Sequence, residues 1–518
     1  MARLFTSGWE LNDASGLLEN WDAPLGSENG SISTTTVRSG TYSMETTSLS
    51  SGNAQGSELN IGTSDQDGPY FVRFYFRYGT LPSGDNTVFA FVSNASNPIV
   101  SIKLNSSGNI ELHDEDGQIG SDSSVLSSDT WYRVEVEYDR TPSAGSHVAK
   151  ARLDGSEFAS SSSRNLSVGI RTVDLGGNLD LESQTQGNWF FDDFALNDDS
   201  GEFEDTYPGD GEVIHLRPNA EGDNTAWDSG TGSSPWYTEI DEVKPDDIST
   251  YIEHTFDEEI ADFNLDATPS ELESDNMISV VHVGHRFELN SAGSDTHKLR
   301  IKASSGGTIE ESSNITADST TWRTYKTSLP RFPQLVLYDK PGSTTDQWTK
   351  SDLDSAQIGV EAVTASDEAR ITAMWLMVEH VDDGKNYTRE AKAALPSNDN
   401  DLATDYTKPD KIDVDSDDAV RVTLSGSGQY NIHQFKDEHT NSTDEITLTA
   451  NVQSSTAPVS STVYLQIYNH SSGAWETLDT NNAAAADTDF TLSGSKTSSL
   501  SDYYSSNIVS GRVYQDNT

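Results

Sequence analysis

The chain contains no cysteine in 518 residues, which excludes disulfides and thiolate metal sites. Basic side chains are scarce as well, with 32 Lys+Arg against 84 Asp+Glu and a formal net charge of −52. A nucleic-acid partner must be met by Lys and Arg that neutralise phosphates, and no basic patch interrupts the acidic sequence, so no nucleic acid is expected as a direct partner. Long apolar runs are also missing. The longest, Met374-Trp375-Leu376-Met377-Val378, falls far short of the ~20 residues that span a bilayer, so no membrane insertion is expected. Residues Met1 to Trp9 lack an apolar stretch of signal-peptide length, which predicts release by another route than export. Helical periodicity is almost absent too.

The acid excess recurs along the whole chain, from Asp114-Glu115-Asp116 through Glu242 and Asp246-Asp247 to Asp413-Val414-Asp415-Ser416-Asp417-Asp418. Self-repulsion of that size destabilises a compact fold in dilute buffer, but the Debye length shrinks to about 3 Å in molar salt. A halophilic protein follows. Arg outnumbers Lys, and a guanidinium pairs with carboxylates in a fixed fork. A disordered acidic chain is excluded by 10 Trp, 19 Tyr and 17 Phe, which supply core residues.

Period-two alternation is present throughout. Val134 and Val136 alternate with Arg133, Glu135 and Glu137, and similar runs cover Phe71 to Tyr78 and Thr462 to Tyr468. Gly/Ser/Asn/Asp turns such as Leu153-Asp154-Gly155-Ser156 separate them. The fold class is therefore all-β, as tandem antiparallel β-sandwiches of jelly-roll and immunoglobulin-like type. Polar seams after Leu196 and after Glu379 divide the chain. The expected domains are a jelly roll over 1–203, a second sandwich over 208–382, a linker over 383–408 and a small sandwich over 409–518. One helix-prone stretch, Thr388 to Leu395, ends at Pro396.

Motifs for catalysis are weak. A strand-borne pair of carboxylates for glycoside chemistry needs two acids about 5–5.5 Å apart. The nearest match, Glu239-Ile240-Asp241, lacks a third acid because Val243 and Lys244 follow. No Gly-x-Ser-x-Gly or His-Glu-x-x-His occurs, so no enzyme is expected. His282 and His285, three apart on a strand, face opposite ways and cannot share a metal. Asp413, Asp415 and Asp417 begin like an EF-hand, but Asp418 and Leu424 replace its glycine and bidentate glutamate.

Leu4 to Glu10, Val37 to Met44, Thr130 to Val136, Leu153-Asp154-Gly155 and Phe191-Asp192-Asp193-Phe194 together resemble the concanavalin-A-like (laminin-G-type) jelly rolls of viral structural proteins and extracellular glycan binders. The resemblance implies a structural calcium held by an acid of the first strand and one of the last, here Glu10 and Asp193. The middle segment carries five ordered blocks: Glu212 to Ala220, Trp227 with Trp236 to Glu242, Pro245 to Ile252, Trp348 to Leu353 with Gln357 to Val360, and Ile371 to Glu379. These resemble a β-sandwich module of structural proteins in head–tail phages and archaeal head–tail viruses. The last segment, through Val463 to Asn469, Trp475 to Leu478 and Arg512 to Gln515, is similar to small sandwiches of the same kind of protein.

The resemblance implies a non-enzymatic virion component of a haloarchaeal head–tail virus: a fibre, spike, turret or baseplate part exposed on the particle. Its partners would be other virion proteins and a host cell-surface glycan or surface-layer protein. A homo-oligomer is expected, trimer first and pentamer second, because open sheet edges favour association and appendages are cyclic. Trp9, Trp21 and Tyr42 are candidate sugar-stacking aromatics. The alternative is a secreted or surface carbohydrate-binding or carbohydrate-active protein of a haloarchaeon.

Overall fold

A computed structural model describes the chain except residues 1, 14–16, 20, 22, 26–29, 48–53, 180–186, 202, 228, 274–275, 327, 345, 365–366, 382–384, 407–409, 412–413, 415–420, 439–444, 506–507 and 517–518. It is all-β, built of antiparallel sheets in tandem sandwiches. Two compact units result, Met1–Val381 and Asp382–Thr518.

The first sandwich pairs an eight-stranded sheet with a seven-stranded one. The eight-stranded sheet is centred on Tyr132–Asp139, Tyr70–Tyr78 and Trp189–Asp198, and Asn86–Val92 and Thr172–Gly177 lie at the middle of the other. Alternation places Val134, Val136 and Tyr138 in the core, each without exposed surface. Their ring-bearing neighbours close the space between the sheets: Phe74 stacks on Phe89 at 5.3 Å, and Phe76 meets Phe191 at 5.4 Å. Such pairs add roughly 0.5–1.5 kcal/mol beyond the area they bury.

The second sandwich stands on two 13-residue strands, Met277–Leu289 and Ala369–Val381, which pair along almost their whole length. Its other sheet is centred on Gln357–Ala362. The core around Trp375 is continuous with that of the first sandwich, because Val213, Tyr325, Ala373, Trp375 and Met377 join the same apolar cluster as Phe5 and Trp9. The segments 1–203 and 208–382, expected as separate domains, thus share one compact unit.

The C-terminal unit holds a six-stranded sheet and the two-stranded pair Ile446–Val452 with Phe490–Lys496. The expected linker 383–408 is corrected here. Lys385–Lys392 is a strand that pairs over eight residues with Tyr430–Glu438, and Thr404–Asp405 pairs with it in turn. The helix expected from Thr388 is therefore absent. Ala, Lys and Glu favour a helix locally, but the ladder and the burial of Thr388 override that weak preference.

Candidate functional site: a charged groove on the first sandwich

On the strand Tyr132–Asp139 the residues opposite the core are Arg133, Glu135 and Glu137. The neighbouring strand His147–Leu153 adds Lys150 and Arg152 on the same face. The segment Thr206–Gly209, which connects the two sandwiches, runs over this face and makes a groove of about 640 Å³. Tyr207 fixes it. Its hydroxyl donates to Glu137 at 2.7 Å, its ring lies 5.3 Å from Phe71, and the Arg152 guanidinium stands 3.6 Å above its centroid. Burial, then the hydrogen bond to Glu137, hold the Tyr207 phenol protonated well above its ordinary range.

Each groove carboxylate already has partners. Glu137 takes Lys150 Nζ at 3.0 Å as well as the Tyr207 hydroxyl. Glu135 accepts the Gly209 N–H at 3.0 Å and lies 3.5 Å from Arg133, which also reaches Asp210 at 3.5 Å. The Arg133–Glu135 pair is coulombic only, because the buried Nε finds no hydrogen-bond acceptor among the described residues. Glu135-Val136-Glu137 also places two acids on one strand face. The signal for it in the sequence is the alternation itself, whose polar half faces the groove.

The residues expected to hold calcium do lie near each other. Burial pushes the Glu10 carboxyl well above its ordinary value, and the charges of Glu19 and Asp193 push the same way. Their oxygens, however, are committed. Glu10 accepts the N–H groups of Thr41 and Tyr42 at 3.0 and 3.1 Å. Asp193 takes Arg38 Nη1 at 2.7 Å, the Ser39 hydroxyl at 2.6 Å and the Val213 N–H at 2.8 Å. Calcium takes six to eight oxygen ligands, and here the Arg38 guanidinium already occupies Asp193 and supplies the positive charge, so this donor set does not fit the ion. No group of three or more acidic or histidine side chains suited to a metal occurs among the described residues. Adding calcium to chelator-treated protein is expected to leave the thermal midpoint unchanged. A rise that disappears in Asp193→Asn would return the pair to a metal role.

Other sequence candidates part ways. Trp9 and Trp21 stack on each other at 5.6 Å inside the core, with 0% and 1% exposure, so neither can stack on a sugar. Tyr42 is half-buried. Glu239 closes a 3-10 turn, Trp236–Glu239, instead of a strand, and it accepts the Thr231 hydroxyl at 2.6 Å. His282 meets the Tyr325 hydroxyl at 3.0 Å, whereas His285 meets His297 at 2.8 Å. Burial pushes all three imidazoles down, His282 and His297 to about 3, so each stays neutral. Asp413, Asp415, Asp417 and Asp418 lie outside the described residues.

No protein-family model matches the chain, and no curated protein does. Among solved structures it is similar to "Cellulose induced protein, Cip1" at 16% identity, over 32% of this chain and 84% of that one, with a TM-score of 0.24. The alginate lyase Aly36B, as a mutant in complex with alginate trisaccharide, matches at 12% identity over 38% of this chain and 98% of its own, with a TM-score of 0.28. Domain 4 of AbnA, a GH43 extracellular arabinanase from Geobacillus stearothermophilus in complex with arabinotriose, matches at 16% over 38% and 93%, with a TM-score of 0.27. Likeness at this level carries no functional argument, which rests instead on the groove.

Proposed function

We propose that the chain is a non-enzymatic attachment protein, exposed on the particle of a halophilic head–tail virus, whose first sandwich holds a saccharide in the groove under Tyr207. The groove carries this reading: an aromatic wall of Phe71 and Tyr207 beside Arg133, Lys150 and Arg152 offers the mix of apolar face and oriented donors that polyhydroxylated ligands take. The acid excess suits a surface bathed in molar salt. In this reading the groove faces a host cell-surface glycan or the glycan of a surface-layer protein. The C-terminal unit contacts other virion proteins. A closed homo-oligomer, trimer before pentamer, covers the open sheet edges. Immunogold labelling of purified particles is expected to decorate their exterior. Signal confined to the cell lysate would overturn the virion assignment.

One observation favours a second reading, a secreted or surface carbohydrate-active protein of a haloarchaeon. Glu135 and Glu137 stand two apart on one strand and both line the groove. Their commitment to Arg133, Gly209, Lys150 and Tyr207 argues against acid–base work, because a partner must leave before either can move a proton. Polysaccharide turnover in molar salt that vanishes in Glu137→Gln would establish the enzyme instead.

A further inference from the structure

We propose that the groove selects acidic saccharides, and that the Arg152 guanidinium is the group that binds the ligand's carboxylate or sulfate. This rests on the reading of the groove as a saccharide site. Lys150 is held by Glu137, and Arg133 lies between Glu135 and Asp210. Arg152 alone among these cations has no carboxylate within ion-pair distance among the described residues. Its cross-strand neighbours are Glu135 and Glu157. Glu135 is taken by Arg133 and the Gly209 N–H, and Glu157 is exposed at the strand end. In a chain with 84 acidic residues, such a cation is conspicuous.

Its position is built. The guanidinium carbon lies 3.6 Å over the Tyr207 ring, a cation–π contact that holds the group at the groove wall. Tyr207 is itself tied to Glu137 and packed on Phe71. The planar fork matches a carboxylate or sulfate with two parallel hydrogen bonds. Salt screens the long-range repulsion of the acidic surface, so selectivity comes from this direct contact.

The test compares an oligoglucuronate with a gluco-oligosaccharide of equal length and linkage, titrated by calorimetry into the full chain in molar salt. The oligoglucuronate is expected to bind about tenfold more tightly, the lower end of a charge-assisted pair in screening salt. Arg152→Gln should abolish that preference by weakening the oligoglucuronate about tenfold more than the neutral ligand. Arg152→Lys, which keeps the charge but not the fork, should retain only part of it. Equal binding of both ligands, or a preference that survives in Arg152→Gln, overturns the inference while leaving the saccharide groove standing. Binding of neither ligand overturns both.

Discussion

Replacing Glu379 by alanine is expected to cost the Met1–Val381 unit about 3–5 kcal/mol, the loss seen when one member of a buried ion cluster is removed. Glu379 closes the strand Ala369–Val381 of the second sandwich, and it has no exposed surface. Two guanidiniums from the first sandwich grip it. Arg3 donates to both carboxylate oxygens, at 3.0 Å to Oε1, and Arg73 donates at 3.1 and 3.3 Å. Arg3 and Arg73 are 1% and 0% exposed, and although Arg3 keeps Glu204 at 2.9 Å, the truncation leaves Arg73 buried without its carboxylate.

Burial alone would raise the Glu379 carboxyl, but Arg3 and Arg73 outweigh it and hold the group at about 2. Its contribution is therefore complete above its ordinary value of 4.5 and is lost as pH falls from there towards 2. Denaturant titration of the full chain in molar salt measures the cost. Because the penalty comes from stranded charge, the double change Arg73→Met and Glu379→Met, which leaves Arg3 paired with Glu204, should recover much of what Glu379→Ala loses. Equal stability of Glu379→Ala and the natural chain would remove the cluster as the tie between the sandwiches.

The second large effect is that of salt. With a net charge of −52, dilution from molar salt to ~0.1 M lengthens the Debye length from about 3 to about 10 Å, and acidic neighbours that were screened begin to repel. The thermal midpoint is expected to fall by more than about 10 °C, a loss of several kcal/mol for units of this size. Sucrose, which strengthens burial without screening charge, should not restore it. Full rescue by sucrose would trace the effect to the hydrophobic core instead of the surface charge.

Strand identity was legible where one face is apolar and the other charged. Val134, Val136 and Tyr138 point inward as the alternation requires, and Val463–Asn469 is a strand as expected. Pairing partners were not legible, since a ladder such as Lys385–Lys392 with Tyr430–Glu438 joins residues about forty to fifty positions apart. The same nonlocality hid the union of the sandwiches. Nothing near Glu379 in sequence announces that Arg3 and Arg73 will meet it. It also defeated the choice of sugar-stacking aromatics, because Trp9 and Trp21 find each other inside the core while Tyr207 is brought over the groove by its hydrogen bond to Glu137.

The central claim, attachment through the groove of the first sandwich, is tested most directly by competition. Purified full-length protein, added in excess to host cells in molar salt before virus, is expected to lower particle adsorption several-fold. Protein carrying Tyr207→Ala, which removes the wall that seats Arg152, should not compete. Adsorption unchanged by the natural protein, or blocked equally well by the variant, would contradict the account.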